Sequence, residues 1–307
     1  MMNTRNFVLL ILLAAMWGPS FLFIKVAVET IPPVTLVFFR VLLAAVLLYL
    51  FLRWQHGRLP RSLNTWKHLS IVALVHNAIP FVLFAWGEQY VDSALASILN
   101  GSIPLFTILL AHVFTQDDHL TPAKIGGVLI GFAGMVALVL PTLQDGVEAT
   151  TWGVLALTLA AFLYGIAIVY TRLHLRGLPP LVAPTGQLIM ATVFLFPVMM
   201  LLEKPYLGLA PSVQSVASLV ALSVLGTAVA FILYYRLIEQ AGASMVSMVA
   251  YVIPVFGIIL GVVILNESLT VNMVIGGGLI LVGVMVVNGL FNSLRLPKSL
   301  HSKRSHI

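Results

Sequence analysis

Hydrophobic stretches of about twenty residues recur along the whole 307-residue chain, and short polar stretches separate them. A helix of about twenty apolar residues is long enough to cross the hydrocarbon core of a bilayer. The pattern therefore predicts ten transmembrane helices joined by short loops. Their expected positions are 7–28, 34–53, 68–90, 93–115, 122–141, 152–172, 181–202, 215–237, 243–265 and 271–291.

Two of these regions carry the same pattern of special residues, at a constant distance of 147 positions. Each has an aromatic residue followed by glycine, then a basic residue, a Pro-Pro pair and a long polar side chain. The matched residues are Trp17 with Tyr164, Gly18 with Gly165, Lys25 with Arg172, Pro32–Pro33 with Pro179–Pro180, and Arg40 with Gln187. We therefore expect two similar halves, residues 1–145 and 146–291, followed by a basic tail at 292–307.

The number of predicted spans in each half has a consequence for the fold. Five is odd, so the second half must enter the membrane from the side opposite to the first. Inverted repeats of this kind are typical of secondary transporters, in which the substrate site lies between the halves near the midplane. The sequence thus predicts an all-α polytopic membrane protein of two inverted five-helix repeats, working by alternating access around a central cavity.

Composition agrees with a lipid environment, because 60% of the residues are hydrophobic and only 8% are charged. The net charge of +6 comes mainly from basic residues in the loops that would be cytoplasmic and in the tail, and only Lys204 falls in an outer loop. The positive-inside rule then places both termini in the cytoplasm, and no nucleic-acid partner is expected. With no cysteine, phosphate-binding loop or ligand cluster, no metal or cofactor is expected either.

The ends of the fourth span in each half add a further motif. Pro104 is followed by an acidic residue, Asp118 or its neighbour Asp117, and then by Leu-Thr; Pro254 is followed by Glu267 and again by Leu-Thr. Together with the aromatic–Gly pairs and the arginine of the second span, this resembles the EamA-like family of the drug/metabolite transporter superfamily.

The resemblance covers almost the whole chain. It implies ten helices, a central cavity built mainly from helices one, three, four, six, eight and nine, and transport of small metabolites, often outward. We therefore expect an exporter of small polar metabolites such as amino acids, located in the bacterial inner membrane and acting as a monomer or homodimer. Two departures from the family pattern are Gln187, which occupies the place of an arginine, and the aspartate of the first half.

Polar and aromatic side chains deep in the predicted spans are the candidate contacts for a small-molecule substrate. Each also has a structural interpretation, because aromatic rings can simply pack in the bundle and asparagines can hydrogen bond between helices. The candidate cavity residues are Trp17, Asn77, Trp86, Asn100, Tyr164, Tyr234 and Tyr251.

Arg40 lies about 10 Å inside the expected outer boundary, at a rise of about 1.5 Å per residue. A guanidinium at that depth must face protein or a wet cavity. It can bind a substrate carboxylate or phosphate, or it can tie helices together by hydrogen bonding loop carbonyls. Gln187 is expected to position helices in the second half. Pro104 and Pro254 are expected to kink their helices, either as flexible gates or as fixed bends.

His76 is a possible proton carrier, because the ordinary pKa of histidine is near neutrality. No Asp or Glu falls well inside a predicted span, since Glu88 and Glu267 both fall at span ends. Proton-driven transporters generally use a buried carboxylate. This reasoning favours export that is passive or weakly coupled.

Three other functions remain to be compared with this one. An intramembrane enzyme would need a catalytic motif, which the chain lacks. A channel would conduct without saturation. A proton-coupled exporter of drugs or toxic compounds would differ from a metabolite exporter in its substrate profile and pH dependence.

Overall fold

The computed structural model describes residues 4–115, 119–143, 148–241 and 248–289. Ten apolar helical segments, α1 to α10, follow each other in this part of the chain, which contains no β-strand. Eight of them have the length and composition needed to cross a membrane; α9 and α10 are shorter. Their bounds are Arg5–Ala27, Pro33–Trp54, Leu63–Gly87, Ser93–Phe114, Pro122–Leu143, Ala149–His174, Val182–Leu207, Val213–Ile238, Val249–Ile264 and Val271–Val287.

Local sequence explains where four of the helices begin. The hydroxyls of Ser62, Thr121, Ser212 and Thr270 each accept a hydrogen bond from the backbone N–H three residues later. Such caps satisfy N–H groups that have no partner within the helix. They start α3, α5, α8 and α10.

Two further helices begin at carboxylates that are distant in sequence. Glu203, at the end of α7, accepts from the backbone N–H groups of Val34 and Thr35 at 2.8 and 2.6 Å. Glu267, between α9 and α10, accepts from those of Ser93 and Ala94 at 2.7 and 2.9 Å. A negative charge at a helix N-terminus also interacts favourably with the helix dipole. These bonds join the starts of α2 and α4 to the second half of the chain.

Further hydrogen bonds join α1 and the loop after it to α8 at the same end of the bundle. Thr30, in the loop after α1, donates to the hydroxyl of Ser215 at 2.7 Å, and Ser215 donates to the carbonyl of Val26 at 2.9 Å. We call this the Glu88 end, after the residue that follows α3. The opposite end, where α2 ends and α3 begins, is called the His68 end.

Several segments depart from a regular α-helix, and α7 does so near its end, with a π-helical turn at Met199–Glu203. α1 is interrupted by a turn at Gly18 and Pro19, and α4 by a turn at 101–102. α3 and α8 each contain a π-helical turn, Ala73–Ala78 and Val224–Val229. π-Helical turns are frequent at functional sites. Both lie about halfway along their segments.

The two candidate prolines behave differently. Pro104 follows the break in α4, whereas Pro254 lies inside an uninterrupted α9. The ring of Pro254 packs on Gly101, where an added Cβ would lie 3.2 Å from the proline Cγ. The two prolines therefore occupy the same region, at the contact of α4 with α9, but only the first accompanies a break in its helix.

α5 and α10 pack against each other through glycines. A Cβ on Gly127 would lie 2.8 Å from the carbonyl oxygen of Gly283, and one on Gly134 would lie 2.5 Å from that of Gly276. Small residues allow such close approach of membrane helices. Elsewhere α2 packs on α7, α3 on α6, α4 on α9 and α1 on α8. The candidate site lies among α1, α2, α3, α6 and α8.

Candidate functional site

The π-helical turn of α3 carries polar groups that lack hydrogen-bond partners. Asn77 is 0% exposed, and neither its amide oxygen nor its amide nitrogen has a hydrogen-bond partner among the described residues. The Nδ1 atom of His76, next to it, also lacks one. Buried polar groups are normally satisfied, and leaving one unsatisfied costs free energy. This turn therefore offers hydrogen-bonding groups that the protein itself does not use.

An aromatic group surrounds this turn. The ring of Tyr164, from α6, lies 5.3 Å from the ring of His76, 6.5 Å from that of Phe81 and 6.1 Å from that of Phe84, measured between centroids. Phe84 in turn lies 5.8 Å from Phe21 of α1. The aromatic walls of a ligand pocket commonly have this composition.

Trp17 of α1 and Tyr234 of α8 form a second aromatic contact, with ring centroids 5.4 Å apart. Tyr234 also contacts Tyr235 at 5.4 Å. The structure therefore brings two of the candidate aromatic residues together across the two halves of the chain. Trp17 of the first half thus packs on α8, the third span of the second half. Tyr164 of the second half packs on α3, the third span of the first half.

Arg40 is buried, with 7% of its surface exposed. Its guanidinium carbon lies 3.9 Å from the centroid of the Phe81 ring, a cation–π contact. Its Nε atom donates to the hydroxyl of Thr227 at 3.1 Å, and Thr227 lies in the π-helical turn of α8. Arg40 therefore joins α2 to α3 and α8, beside the polar turn.

Hydrogen bonds to loop carbonyls, which the sequence suggested for Arg40, are made by Lys25. Its ammonium group donates to the carbonyl oxygens of Glu88 and Val91, each at 2.7 Å. The lysine thus fixes the end of α1 to the loop between α3 and α4.

The Glu88 side chain is 0% exposed, and both of its carboxylate oxygens lack a hydrogen-bond partner among the described residues. Burial raises the pKa of this carboxyl well above its usual range, while Lys25 lowers it, Glu267 raises it and Arg40 lowers it. The sequence correctly predicted that Glu88 lies at a helix end. The inference that the protein lacks a buried carboxylate was wrong, because Glu88 is buried although it lies at the end of its helix.

The other candidates lie apart from the polar turn. The ring of Trp86 packs on Tyr90 near the Glu88 end, with centroids 5.0 Å apart. The hydroxyl of Tyr251 donates to the carbonyl of Val284 at 3.3 Å and accepts from the amide of Asn288 at 2.6 Å, so it contacts α10. Asn100 is half-buried at the break of α4.

Gln187 is buried in α7, with 5% of its surface exposed. Asp117 and Asp118 lie outside the described residues, as does the tail at 292–307.

A cavity of about 280 Å³ opens between α4, α9 and α10. Its lining is apolar and includes none of the polar groups described above, so it is not the candidate site.

Comparison with known proteins decides the family. The sequence model of the EamA-like transporter family matches residues 5–140 and 151–289. The chain belongs to this family. The resemblance inferred from the sequence motifs is therefore confirmed.

Some relatives of this EamA-like chain are named as transporters. A protein of Archaeoglobus fulgidus described as an uncharacterized transporter is 29% identical over 288 residues, which cover 92% of this chain and 97% of that protein. The uncharacterized transporter YoaV of Bacillus subtilis is 26% identical, covering 88% and 92%. Protein PagO of Salmonella typhimurium is 27% identical, covering 82% of each.

The fold of the EamA-like chain is also found among solved structures. One crystal structure superposes with a TM-score of 0.66 at 19% identity, covering 96% of this chain and all of the other. The family and the names of the relatives thus identify a membrane transporter and point away from an enzyme.

Several residues of this EamA-like site were not found from the sequence. Phe81 and Phe84 were indistinguishable from other apolar residues of their span, and Thr227 from other small polar residues. Lys25 was recognised as part of the repeat but received no role. The available signal for Lys25 was its position in the last helical turn, where a cation can reach nearby carbonyls.

Proposed function

We propose that the protein is a secondary transporter that exports small polar metabolites such as amino acids. Substrate would bind at the site formed by the π-helical turn of α3, Arg40 and Tyr164, and alternating access would expose that site to each side of the membrane. Membership of the EamA-like family supports the transport function. The chemistry of the site supports the class of substrate.

The observation that carries the proposal is the unpartnered amide of Asn77 within an apolar bundle. An amide can accept from a substrate ammonium group and donate to a carboxylate. The nearby guanidinium of Arg40 suits a carboxylate, because its planar fork of donors matches the two carboxylate oxygens. The rings of Tyr164 and Phe84 suit an apolar part of the same molecule.

Alternating access is supported by correspondences between the halves. The π-helical turns Ala73–Ala78 and Val224–Val229 occupy corresponding places in the third span of each half. α5 packs on its counterpart α10, α2 on α7 and α4 on α9, as expected for two halves related by a twofold axis. We propose that these halves are the inverted repeats predicted above, with ten spans and both termini in the cytoplasm of a bacterial inner-membrane protein.

A ligand screen on the detergent-purified protein tests the proposal. Individual L-amino acids at millimolar concentration are added, and the shift in melting temperature is measured. A ligand that binds the folded state stabilises it by mass action. The variant Asn77→Leu is expected to lose the shift, whereas Asn64→Leu, at an exposed position of the same helix, is expected to keep it. An equal shift in wild type and Asn77→Leu would contradict the site.

Flux through proteoliposomes then tests the mechanism. Radiolabelled amino acids identified by the screen are expected to enter faster when the vesicles are preloaded with the same unlabelled compound. Such exchange stimulation is expected of a carrier but not of a channel. Non-saturating uptake without exchange stimulation would favour a channel.

A proton-coupled exporter of toxic compounds is the second candidate. The observation in its favour is the number of aromatic rings near the site, which suits large apolar cations. Cells that overproduce the protein would then resist cationic dyes and would not change their release of amino acids.

A further inference from the structure

Glu88 is a buried ionisable residue that has no role in the proposed substrate site. It follows the last residue of α3, and its backbone N–H still bonds to the carbonyl of Phe84 at 2.9 Å. Its neighbour Gly87 packs against α6, where an added Cβ would lie 3.1 Å from both the carbonyl of Gly153 and the side chain of Leu157. Glu88 is itself 0% exposed, so its carboxyl group is enclosed by protein.

The hydrogen bonds around Glu88 go to its backbone and leave its side chain without a donor. Lys25 donates to the backbone carbonyls of Glu88 and Val91, while both carboxylate oxygens remain unpartnered. Glu267, at the same end, has its two oxygens bonded to the N-terminus of α4. A buried carboxylate without donors is unfavourable when charged and much less so when protonated.

The charged and titratable groups around Glu88 come from five parts of the chain. Lys25 of α1 and Arg40 of α2 are the cations, and Glu267 of the loop between α9 and α10 is the anion. Asp92, in the loop that Glu88 begins, interacts with Lys25 and Glu267. From α6, the hydroxyl of Tyr164 interacts with Arg40. Arg40 thus connects Glu88 electrostatically to the candidate substrate site.

The direction of the pH effect follows from linkage. Because burial raises the pKa of Glu88 above its ordinary value, closing this end of the bundle takes up a proton. The closed arrangement is then favoured at low pH and is progressively disfavoured as pH rises from the ordinary carboxyl pKa towards the raised one. Opening of the Glu88 end to water releases the proton.

We propose that Glu88 is a proton-binding site that couples proton movement to substrate movement in the same direction. Export down a steep outward substrate gradient then carries protons outward, and an inwardly directed proton gradient drives the reverse reaction, uptake. This inference builds on the proposed transport function. A proton from water binds a carboxylate oxygen of Glu88 and removes the negative charge near Arg40. The guanidinium is then available to the carboxylate of a substrate. When the substrate leaves, Glu88 loses its proton to water and again provides the negative charge near Arg40.

Infrared spectroscopy tests the protonation without a substrate. Difference spectra of the wild-type protein in lipid, recorded from mildly acidic to mildly alkaline pH, are expected to show the carbonyl stretch of a protonated carboxyl that persists near neutral pH. The band is expected to vanish in Glu88→Gln and to persist in Glu29→Gln, which changes an exposed carboxylate at the same end. A wild-type protein without this band near neutral pH would overturn the proposal.

Flux measurements test the coupling. Proteoliposomes take up a mixture of radiolabelled L-amino acids under an inwardly directed proton gradient. With one proton per substrate, a gradient of one pH unit is expected to drive about tenfold accumulation. Glu88→Gln resembles the protonated state permanently, so it is expected to retain exchange but to lose accumulation. Glu29→Gln is expected to retain both.

The results separate this inference from the proposed function. Accumulation against the proton gradient, or gradient-driven accumulation by Glu88→Gln, would refute proton coupling at Glu88 while leaving amino-acid transport intact. If the wild type moves no amino acid under any condition, the proposed substrate class is wrong, and the infrared band then decides whether Glu88 binds a proton.

Discussion

Two regions of this transporter differ in how their polar side chains are hydrogen bonded. At the Glu88 end, the buried carboxylate of Glu88 has no partner among the described residues, but three other charged residues there do. In the network at the Glu88 end, Glu203, Glu267 and Lys25 each make two hydrogen bonds to backbone groups of another segment. Around the π-helical turn of α3, Asn77 has no partner for its side chain. The difference teaches that depth in the bundle alone does not identify a functional residue. Polar groups that are satisfied by the protein hold helices together, while those left over are available to a ligand.

The largest expected loss of stability is from Lys25→Met. The variant leaves two loop carbonyls without their donor, and bonds to charged groups are each worth about 1.5–3 kcal/mol. We expect the free energy of unfolding to fall by about 3 kcal/mol, measured by thermal or denaturant unfolding in detergent. Lys25→Arg keeps a donor cation and should lose less. A loss of similar size in both variants would show that the stability depends on the exact shape of the lysine side chain and not on its positive charge alone.

Glu267→Ala should have the next largest effect. It removes both side-chain acceptors from the start of α4, and loss of a helix cap typically costs about 0.5–2 kcal/mol. We expect a decrease of about 2 kcal/mol in the free energy of unfolding. Glu29→Ala, an exposed carboxylate at the same end, should change it by less than about 0.5 kcal/mol. Equal values for the two variants would contradict the capping role.

Thr227→Val should destabilise the protein less. It removes the hydroxyl that accepts from the Nε atom of Arg40, at an expected cost of about 1 kcal/mol. Thr227→Ser keeps the hydroxyl and serves as the control. Arg40 should then be less well positioned, so we also expect weaker substrate binding in Thr227→Val than in Thr227→Ser. Unchanged binding in both would indicate that the arginine does not depend on this bond.

Asn77→Leu should have the smallest effect on stability and a large one on function. The amide has no partner to lose, so an apolar side chain of similar size should leave the free energy of unfolding unchanged within about 0.5 kcal/mol or increase it. Ligand-dependent stabilisation should disappear. A decrease of more than about 2 kcal/mol would mean that the amide is satisfied in the folded protein, and the comparison between the two regions would fail.

The sequence predicted the helical segments because apolar length is a local signal. The ten helical segments of the described residues lie close to their predicted positions. The burial of Arg40 also followed from its depth in the second span. These features depend on the chain pattern and on the energetics of a bilayer.

The candidate site was less accessible to the same reasoning. Glu88 looked like a loop residue because a helix ends beside it, and its burial depends on α6 and other segments distant in sequence. Glu203 and Glu267 make long-range caps that no local motif records. Tyr251 was expected in the central cavity, yet its hydroxyl contacts α10. Partner choice depends on tertiary packing, which spacing along the chain does not determine.

The π-helical turn of α3 has a consequence for protein engineering. A π-helical turn accommodates an additional residue within a helix by widening one turn, so the regular helix on either side keeps its orientation. Deleting a single residue between 73 and 78 would convert the turn to regular α-helical geometry and leave both flanking parts of α3 in place. A one-residue deletion series across this turn would therefore separate the contribution of the widened turn from that of the helix around it.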